Sequence, residues 1–239
     1  MDLISLLLTL RPLDSDRPAG SLPTWWGRAG QALALQVFDQ LDPALAAALH
    51  DGSSLRPFTV STLMGRMQEG RLDAEGSYAL RFTGLTQPVS QLLARAAEPG
   101  GPLAPDATLH LDYQPFRVTA VQSDGHVWAG RAAYTELAAA ILAGKPPRQI
   151  GFLLASPTSF RSAGKQIPLP LPELVFGSLV DRWNAFAPLA FPAEVRRYAA
   201  ECLAVARYSL RTRPVGSKDG GLRVGAAGQI SYVTLNYDR

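Results

Sequence analysis

What most limits the folds open to this chain is an order of elements that runs once and then starts again. An apolar run of strand length, Ile4 to Leu10, is closed by the Pro, Asp and Gly cluster between Arg11 and Gly20. From Arg28 onward Leu33, Val37, Phe38 and Leu41 recur at helical spacing, and Asp42 with Pro43 supplies the N-cap and first-turn proline of a second short helix ending near Leu49. Phe58 to Ser61 and Tyr78 to Thr83 read as strands, Val89 to Ala97 as a helix, and Thr108 to Val121 as alternation long enough for a strand pair. The order is β-α-β-β-α-β.

A helical connector from Arg131 to Leu142 leads past Gly144, Pro146 and Pro147 to another apolar strand, Ile150 to Ala155, and the pattern restarts. Helical periodicity returns at Val175, Phe176, Leu179, Val180 and Trp183, and again at Val195, Tyr198, Ala199 and Cys202, with Pro192 in a first turn. Two strands near Leu203 to Arg213 and Leu222 to Asn236 flank a Gly-rich turn at Gly216 to Gly221. We therefore expect two domains, 1–128 and 129–239, the second reading β-α-β-β and then stopping. Without a closing helix and strand such a unit keeps an edge and a face open, so the chain reads as truncated. A naturally short domain, or one that borrows a partner's strand, is the other reading.

Apolar residues at 47% and charged ones at 18% suffice for a core and are too weakly charged for wholesale disorder. No apolar run reaches the roughly 18 residues of a membrane span, and Met1 to Leu10 lacks the basic start of a secretory signal. With Cys202 as the one cysteine, a disulfide within the chain and a cysteine metal cage are excluded, and a reducing, cytoplasmic setting with no membrane partner is expected. Charge is uneven. Residues 1–144 hold 10 Arg against 14 acids, net −4, and residues 145–239 hold 13 Arg and Lys against 6 acids, net +7. Arg makes up 20 of the 23 basic residues, which suits bidentate phosphate contacts and equally follows from codon usage in a GC-rich genome.

Arg207, Ser209, Arg211 and Arg213 fall on one face of a strand, with Ala206, Tyr208, Leu210 and Thr212 opposite. Three cations with no acid between them repel unless an anion joins them, so the face reads as a polyanion track or as a plain solvated surface. Phe160, Arg161 and Lys165, in a loop from Ser156 to Lys165, extend the track by stacking and charge. His50 ends the second short helix, with Ser53, Ser54, Arg56, Thr59 and Ser61 following it. Metal-free RNA cleavage needs a base for the 2′-OH, an acid for the 5′-oxygen and cations for the oxyanion, and a histidine serves the first two; a simple helix C-cap is the alternative. His110, on the strand face of Asp112, and His126 after the Asp124-Gly125 turn read as solvated. Asp14-Ser15-Asp16 lacks a third ligand nearby, and no phosphate-binding glycine loop precedes a helix, so neither metal nor nucleotide cofactor is expected.

Leu49-His50-Asp51 with Arg56-Pro57-Phe58-Thr59-Val60-Ser61 and Leu63-Met64-Gly65, then Ser156 to Arg161, Pro168 to Pro172, Phe176 to Asn184, Arg207 to Thr212 and Val224 to Tyr232, together resemble the CRISPR repeat-processing endoribonucleases of the RAMP superfamily. The resemblance covers nearly the whole chain. It implies an α+β architecture of two tandem ferredoxin-like (RRM-like) domains, the second lacking its last helix and strand. It implies cleavage of CRISPR repeat transcripts by 2′-OH attack, leaving a 2′,3′-cyclic phosphate and a 5′-OH, with His50 as acid-base group and no cofactor. Some members add a tyrosine in the first helix and a lysine just after the histidine; residues 28–49 hold no Tyr and no Lys precedes Lys145, which leaves those roles to Arg56 or a serine. The family's glycine-rich loop near the C-terminus is also absent. Arg56, Ser61, Phe160, Arg161, Lys165, Arg207, Arg211 and Arg213 are the expected RNA contacts. Repeat RNA is the expected partner, with other subunits of a CRISPR effector complex and a second copy of the chain as further partner readings. A RAMP subunit that grips guide RNA without cutting stays open; an RRM-like binder lacks its aromatic-rich strand here.

Overall fold

The computed structural model describes residues 1–13, 23, 25–51, 55–67, 71–216 and 221–235, with the backbone alone at Asp51. The chain divides into two compact units, Met1–Leu137 and Ala138–Arg239. Asp14 to Asp16, Ser53 and Ser54 lie outside the described residues.

In the first unit β1 (Leu3–Pro12), β2 (Phe58–Val60), β3 (Tyr78–Gly84), β4 (Thr108–Leu111) and β5 (Gln114–Gln122) form an antiparallel sheet in the order β2-β3-β1-β5-β4. Alternation sets the faces: Ile4, Leu6, Leu8 and Leu10 of β1 and Tyr78, Leu80 and Phe82 of β3 are buried in one core. That face is covered by α1 (Gly27–Leu41) and α3 (Gln87–Ala96), which bring Leu33, Val37, Phe38, Val89, Leu92 and Leu93 at helical spacing. Phe38 meets Phe58 edge-on at 5.1 Å, an arrangement that adds about 0.5–1.5 kcal/mol to the burial of the two rings. A short helix, α2 (Pro43–Asp51), follows α1, and the Asp42 carboxylate accepts the Leu45 N–H at 3.0 Å as the expected cap. Asp112 and Tyr113 both have positive φ, 51° and 68°, and make the two-residue turn between β4 and β5. Asp112 therefore belongs to a turn, not to the strand face of His110.

Arg131 and Ala132, expected to open a helical connector, belong instead to a strand, β6 (Gly130–Ala132), and the connector helix α4 (Tyr134–Ala143) begins later. The reason lies in β1. Its partner β5 pairs only from Leu7 to Pro12, and β6 pairs the rest of that edge, with Ser5 opposite Gly130 and Leu3 opposite Ala132. Unpaired N–H and C=O groups at the start of a central strand are costly, and three residues with no strand propensity of their own are recruited to satisfy them.

In the second unit β10 (Leu203–Gly216), β11 (Leu222–Thr234) and β7 (Gln149–Thr158) form an antiparallel sheet in that order. Helices α5 (Pro172–Phe186) and α6 (Glu194–Cys202) precede β10, so the unit runs β-α-β-β, and no further helix or strand follows among the described residues. Its core is small and aromatic: Val175, Ile230 and Tyr232 are buried, with Phe152, Phe160, Phe176 and Leu210 against them. The Tyr232 hydroxyl donates to the Pro170 carbonyl at 2.6 Å, and Asn184 exchanges two hydrogen bonds with the Phe191 backbone, 2.9 and 2.7 Å, to fix the α5–α6 loop. The Ser156 to Lys165 segment is not a loop. β7 runs to Thr158, and β8 (Phe160–Ser162) and β9 (Lys165–Ile167) form a hairpin around Ala163 and Gly164, at φ 47° and 75°. The chain is thus α+β, with a ferredoxin-like order of elements in the first unit and the same order as far as β-α-β-β among the described residues of the second.

Candidate nucleic-acid interface

His50 occupies the last turn of α2, exposed, while Ala46 and Leu49 on the other face of the helix are buried. The helix end places partial negative charge beside the imidazole. Arg56 is half-buried, its guanidinium carbon 5.9 Å from the centroid of the Phe58 ring, a cation over a π face. Thr59 and Thr83 share a hydrogen bond across β2 and β3. Ser61 is built into the sheet: its hydroxyl oxygen accepts the Arg81 N–H at 2.9 Å, and its own N–H donates to the Arg81 carbonyl at 2.9 Å. That use leaves the Ser61 hydroxyl proton to donate elsewhere. His110 is exposed on β4, and the His126 Nδ1 accepts the Trp128 N–H at 3.0 Å within its own turn.

In the second unit the register fixes the arginines more firmly than alternation alone. Arg207 stands opposite Ser231, Ser209 opposite Gln229, Arg211 opposite Ala227 and Arg213 opposite Gly225, while Tyr208, itself 68% exposed, pairs with the buried Ile230 on the other face. The same ladder sets Arg223 opposite Val215, which puts a fourth exposed arginine on the face of the other three. Sequence alternation missed Arg223, because the register between two strands is not written in either one. None of Arg207, Arg211, Arg213 and Arg223 pairs with an acid among the described residues, whereas Arg196 pairs with Asp181, and Arg197 stands 4.0 Å from Glu201. A hollow of about 450 Å³ opens there, lined by Gly151, Leu153, Arg207, Ser209, Gln229 and Ser231 among others. Its walls offer amide and hydroxyl groups beside a guanidinium, over a floor without a side chain at Gly151.

The β8–β9 hairpin exposes Arg161 and Lys165. Phe160 differs: its ring is half-buried and packs into the aromatic core, so it anchors the hairpin more than it offers a stacking face. Behind the sheet, burial pushes the Tyr232 phenol up to about 12, with the Glu173 carboxylate adding to the shift. No three His, Cys, Asp or Glu side chains converge as a metal site, and no helix is long and apolar enough to cross a membrane, among the described residues.

The family model of the CRISPR-associated endoribonuclease Cas6 matches residues 153–238, the stretch that carries Arg161, Lys165 and the arginine face. No curated protein matches the chain. Among solved structures, a Cas6 in a product complex superposes with a TM-score of 0.72 at 28% identity, over 98% of this chain and 84% of that one. A Cas6 from Thermus thermophilus matches at 0.68 and 23% identity, over 99% and 85% of the two chains, and shares the fold. So does a RAMP protein described as binding different RNA substrates, at 0.51 and 16% identity over 96% and 88%. The resemblance carried by the sequence segments is therefore present in the fold of both units and in the sequence of the second.

Proposed function

We propose that this chain, similar to the Cas6 endoribonucleases in sequence and fold, processes CRISPR repeat transcripts into guide RNAs. The observation that carries the reading is the face of four arginines with no acid among the described residues, lying within the segment that the Cas6 family model matches. Such a face costs stability through mutual repulsion and gains it back when a phosphate chain lies along it. In the proposed reaction the 2′-OH of one nucleotide attacks the adjacent phosphorus, the bond to the 5′-oxygen breaks, and a 2′,3′-cyclic phosphate and a 5′-OH result. His50 serves as the acid-base group, giving the departing oxygen its proton or taking that of the 2′-OH. Arg56 offsets charge on the phosphate in this scheme, a role supported by the Phe58 ring that holds its guanidinium. Ser61 donates its hydroxyl proton, and Arg161, Lys165, Arg207, Arg211, Arg213 and Arg223 follow the backbone, with Phe160 setting the hairpin in place. No step in this scheme calls for a metal or cofactor.

The test incubates the protein with its repeat RNA in EDTA and identifies the termini of the products. Cleavage within the repeat, with a cyclic phosphate and a 5′-OH, is expected. Tight binding with no product under any condition would instead assign the chain to RAMP subunits that hold guide RNA without cutting it.

A further inference from the structure

On the sheet face of the first unit that points away from α1 and α3, Arg81 carries a charge that no acid among the described residues answers. Its Nε donates to the Ser5 hydroxyl at 2.8 Å, and that hydroxyl donates in turn to the Trp128 carbonyl at 2.6 Å. The inner nitrogen is thereby fixed, while neither terminal nitrogen has a hydrogen bond or an acid partner among the described residues. Arg11, on the same face of the neighbouring strand, has Glu75 at 3.4 Å. Arg81 is half-buried, and burial pulls its guanidinium below the usual arginine range. A charge partly withdrawn from water with no counter-charge is costly relative to a paired one, and a bound anion would offset that cost.

The space beside it is shaped for that ligand. A hollow of about 290 Å³ is lined by Arg81, Ser5, Thr83, Trp128 and Gly130 among others, far above the roughly 30 Å³ of one water. Ser5 pairs with both Thr83 and Gly130, so the three share one row on the outer face, and a Cβ added at Gly130 would meet open space. A guanidinium held by Nε presents its two terminal nitrogens as a fork that fits two oxygens of one phosphate.

We propose that this hollow is a second RNA subsite, one that binds a phosphodiester of a single strand at Arg81 and shares no residue with the arginine face of the second unit. It rests on the reading of the chain as an RNA-binding nuclease and adds a contact that neither the sequence segments nor the family match assigns. The subsite contributes to holding RNA and takes no part in the bond-breaking step.

Binding of repeat RNA by wild type, Arg81→Met, Gly130→Leu and Arg211→Gln is measured by fluorescence anisotropy at several salt concentrations, with thermal unfolding of each protein alongside. Loss of one single-strand phosphate contact lowers the slope of log K against log salt by roughly 0.7, and that change is expected for Arg81→Met, with a several-fold weaker affinity and an unfolding midpoint no lower than wild type. Gly130→Leu fills the hollow with Arg81 still present, so it keeps the fold reading intact and is expected to weaken RNA binding as well. Unchanged affinity and slope in both variants, with Arg211→Gln lowering the slope, overturns the subsite alone and leaves Arg81 to a protein or carboxylate partner. Absence of RNA binding by the wild type overturns the subsite and the proposed function together.

Discussion

The guanidinium of Arg56 lies 5.9 Å from the centroid of the Phe58 ring, and that ring meets Phe38 edge-on at 5.1 Å. A surface cation shortly after the candidate histidine is thus anchored through two aromatics to helix α1. Phe58→Ala is expected to cost about 3–5 kcal/mol, read by urea denaturation, because Phe58 is 5% exposed and its removal leaves a cavity against Phe38. Arg56→Ala removes the cation over the ring, a contact worth about 0.5–1 kcal/mol, and is expected to leave the Phe58–Phe38 packing in place while cleavage of repeat RNA slows.

The arginine face makes a prediction about salt. Arg211→Gln and Arg213→Gln should each lower the slope of log K against log salt by roughly 0.7 and weaken repeat and unrelated single strands alike, since phosphate contacts carry no sequence. Gln229→Ala, at the hollow on the same face, should instead change which sequences are preferred at nearly constant slope. Anisotropy titrations with two RNAs of different sequence separate the two behaviours.

Gly228 sets the shape of that face. Its φ of 131° is open to glycine and strained for other residues, and a Cβ there would stand 2.1 Å from the Ser209 carbonyl oxygen of the neighbouring strand. Gly228→Ala is expected to destabilise the second unit by at least about 1–3 kcal/mol from backbone strain alone. Because the clash falls on the strand of Arg207 and Arg211, RNA affinity should fall with it, which denaturation and binding measured on the same preparation will show.

The order of strands and helices along the chain was legible in the sequence because each rests on local periodicity: Ile4, Leu6, Leu8 and Leu10 mark the buried face of β1, and Asp42 with Pro43 marks the start of α2. What was not legible depends on partners far along the chain. Gly130–Ala132 has no strand composition and is a strand because β5 leaves part of the β1 edge unpaired. The β8–β9 hairpin turns on Ala163 at φ 47°, where Asn or Gly is the usual signal. Arg223 joined the arginine face only through the ladder that sets it opposite Val215, and the half-buried packing of Phe160 against the second unit's core was not legible because a hairpin, not a loop, carries it. Arg81 gave no signal at all, since its isolation is a matter of what surrounds it.

Alkali should find Tyr232. Its phenol is pushed up to about 12 in the folded protein from an ordinary value near 10, so the fold favours the neutral form that donates to Pro170. The contribution is fully present below pH 10 and is lost as pH rises from 10 through 12, where the unfolded chain has released a proton that the folded chain retains. Tyr232→Phe is expected to lose about 1–3 kcal/mol at neutral pH, because the Pro170 carbonyl is left without its donor, and to flatten the fall in stability across that alkaline window. Unfolding free energies measured between pH 8 and pH 12 for both proteins test the two effects together.

The acid-base role of His50 is tested most directly by single-turnover cleavage of repeat RNA by wild type and His50→Ala, in EDTA and with enzyme in excess. An acid-base role predicts a rate loss of roughly 10²–10⁴-fold in the variant, with RNA affinity held within about twofold of wild type. Cutting by His50→Ala at the wild-type rate would contradict it.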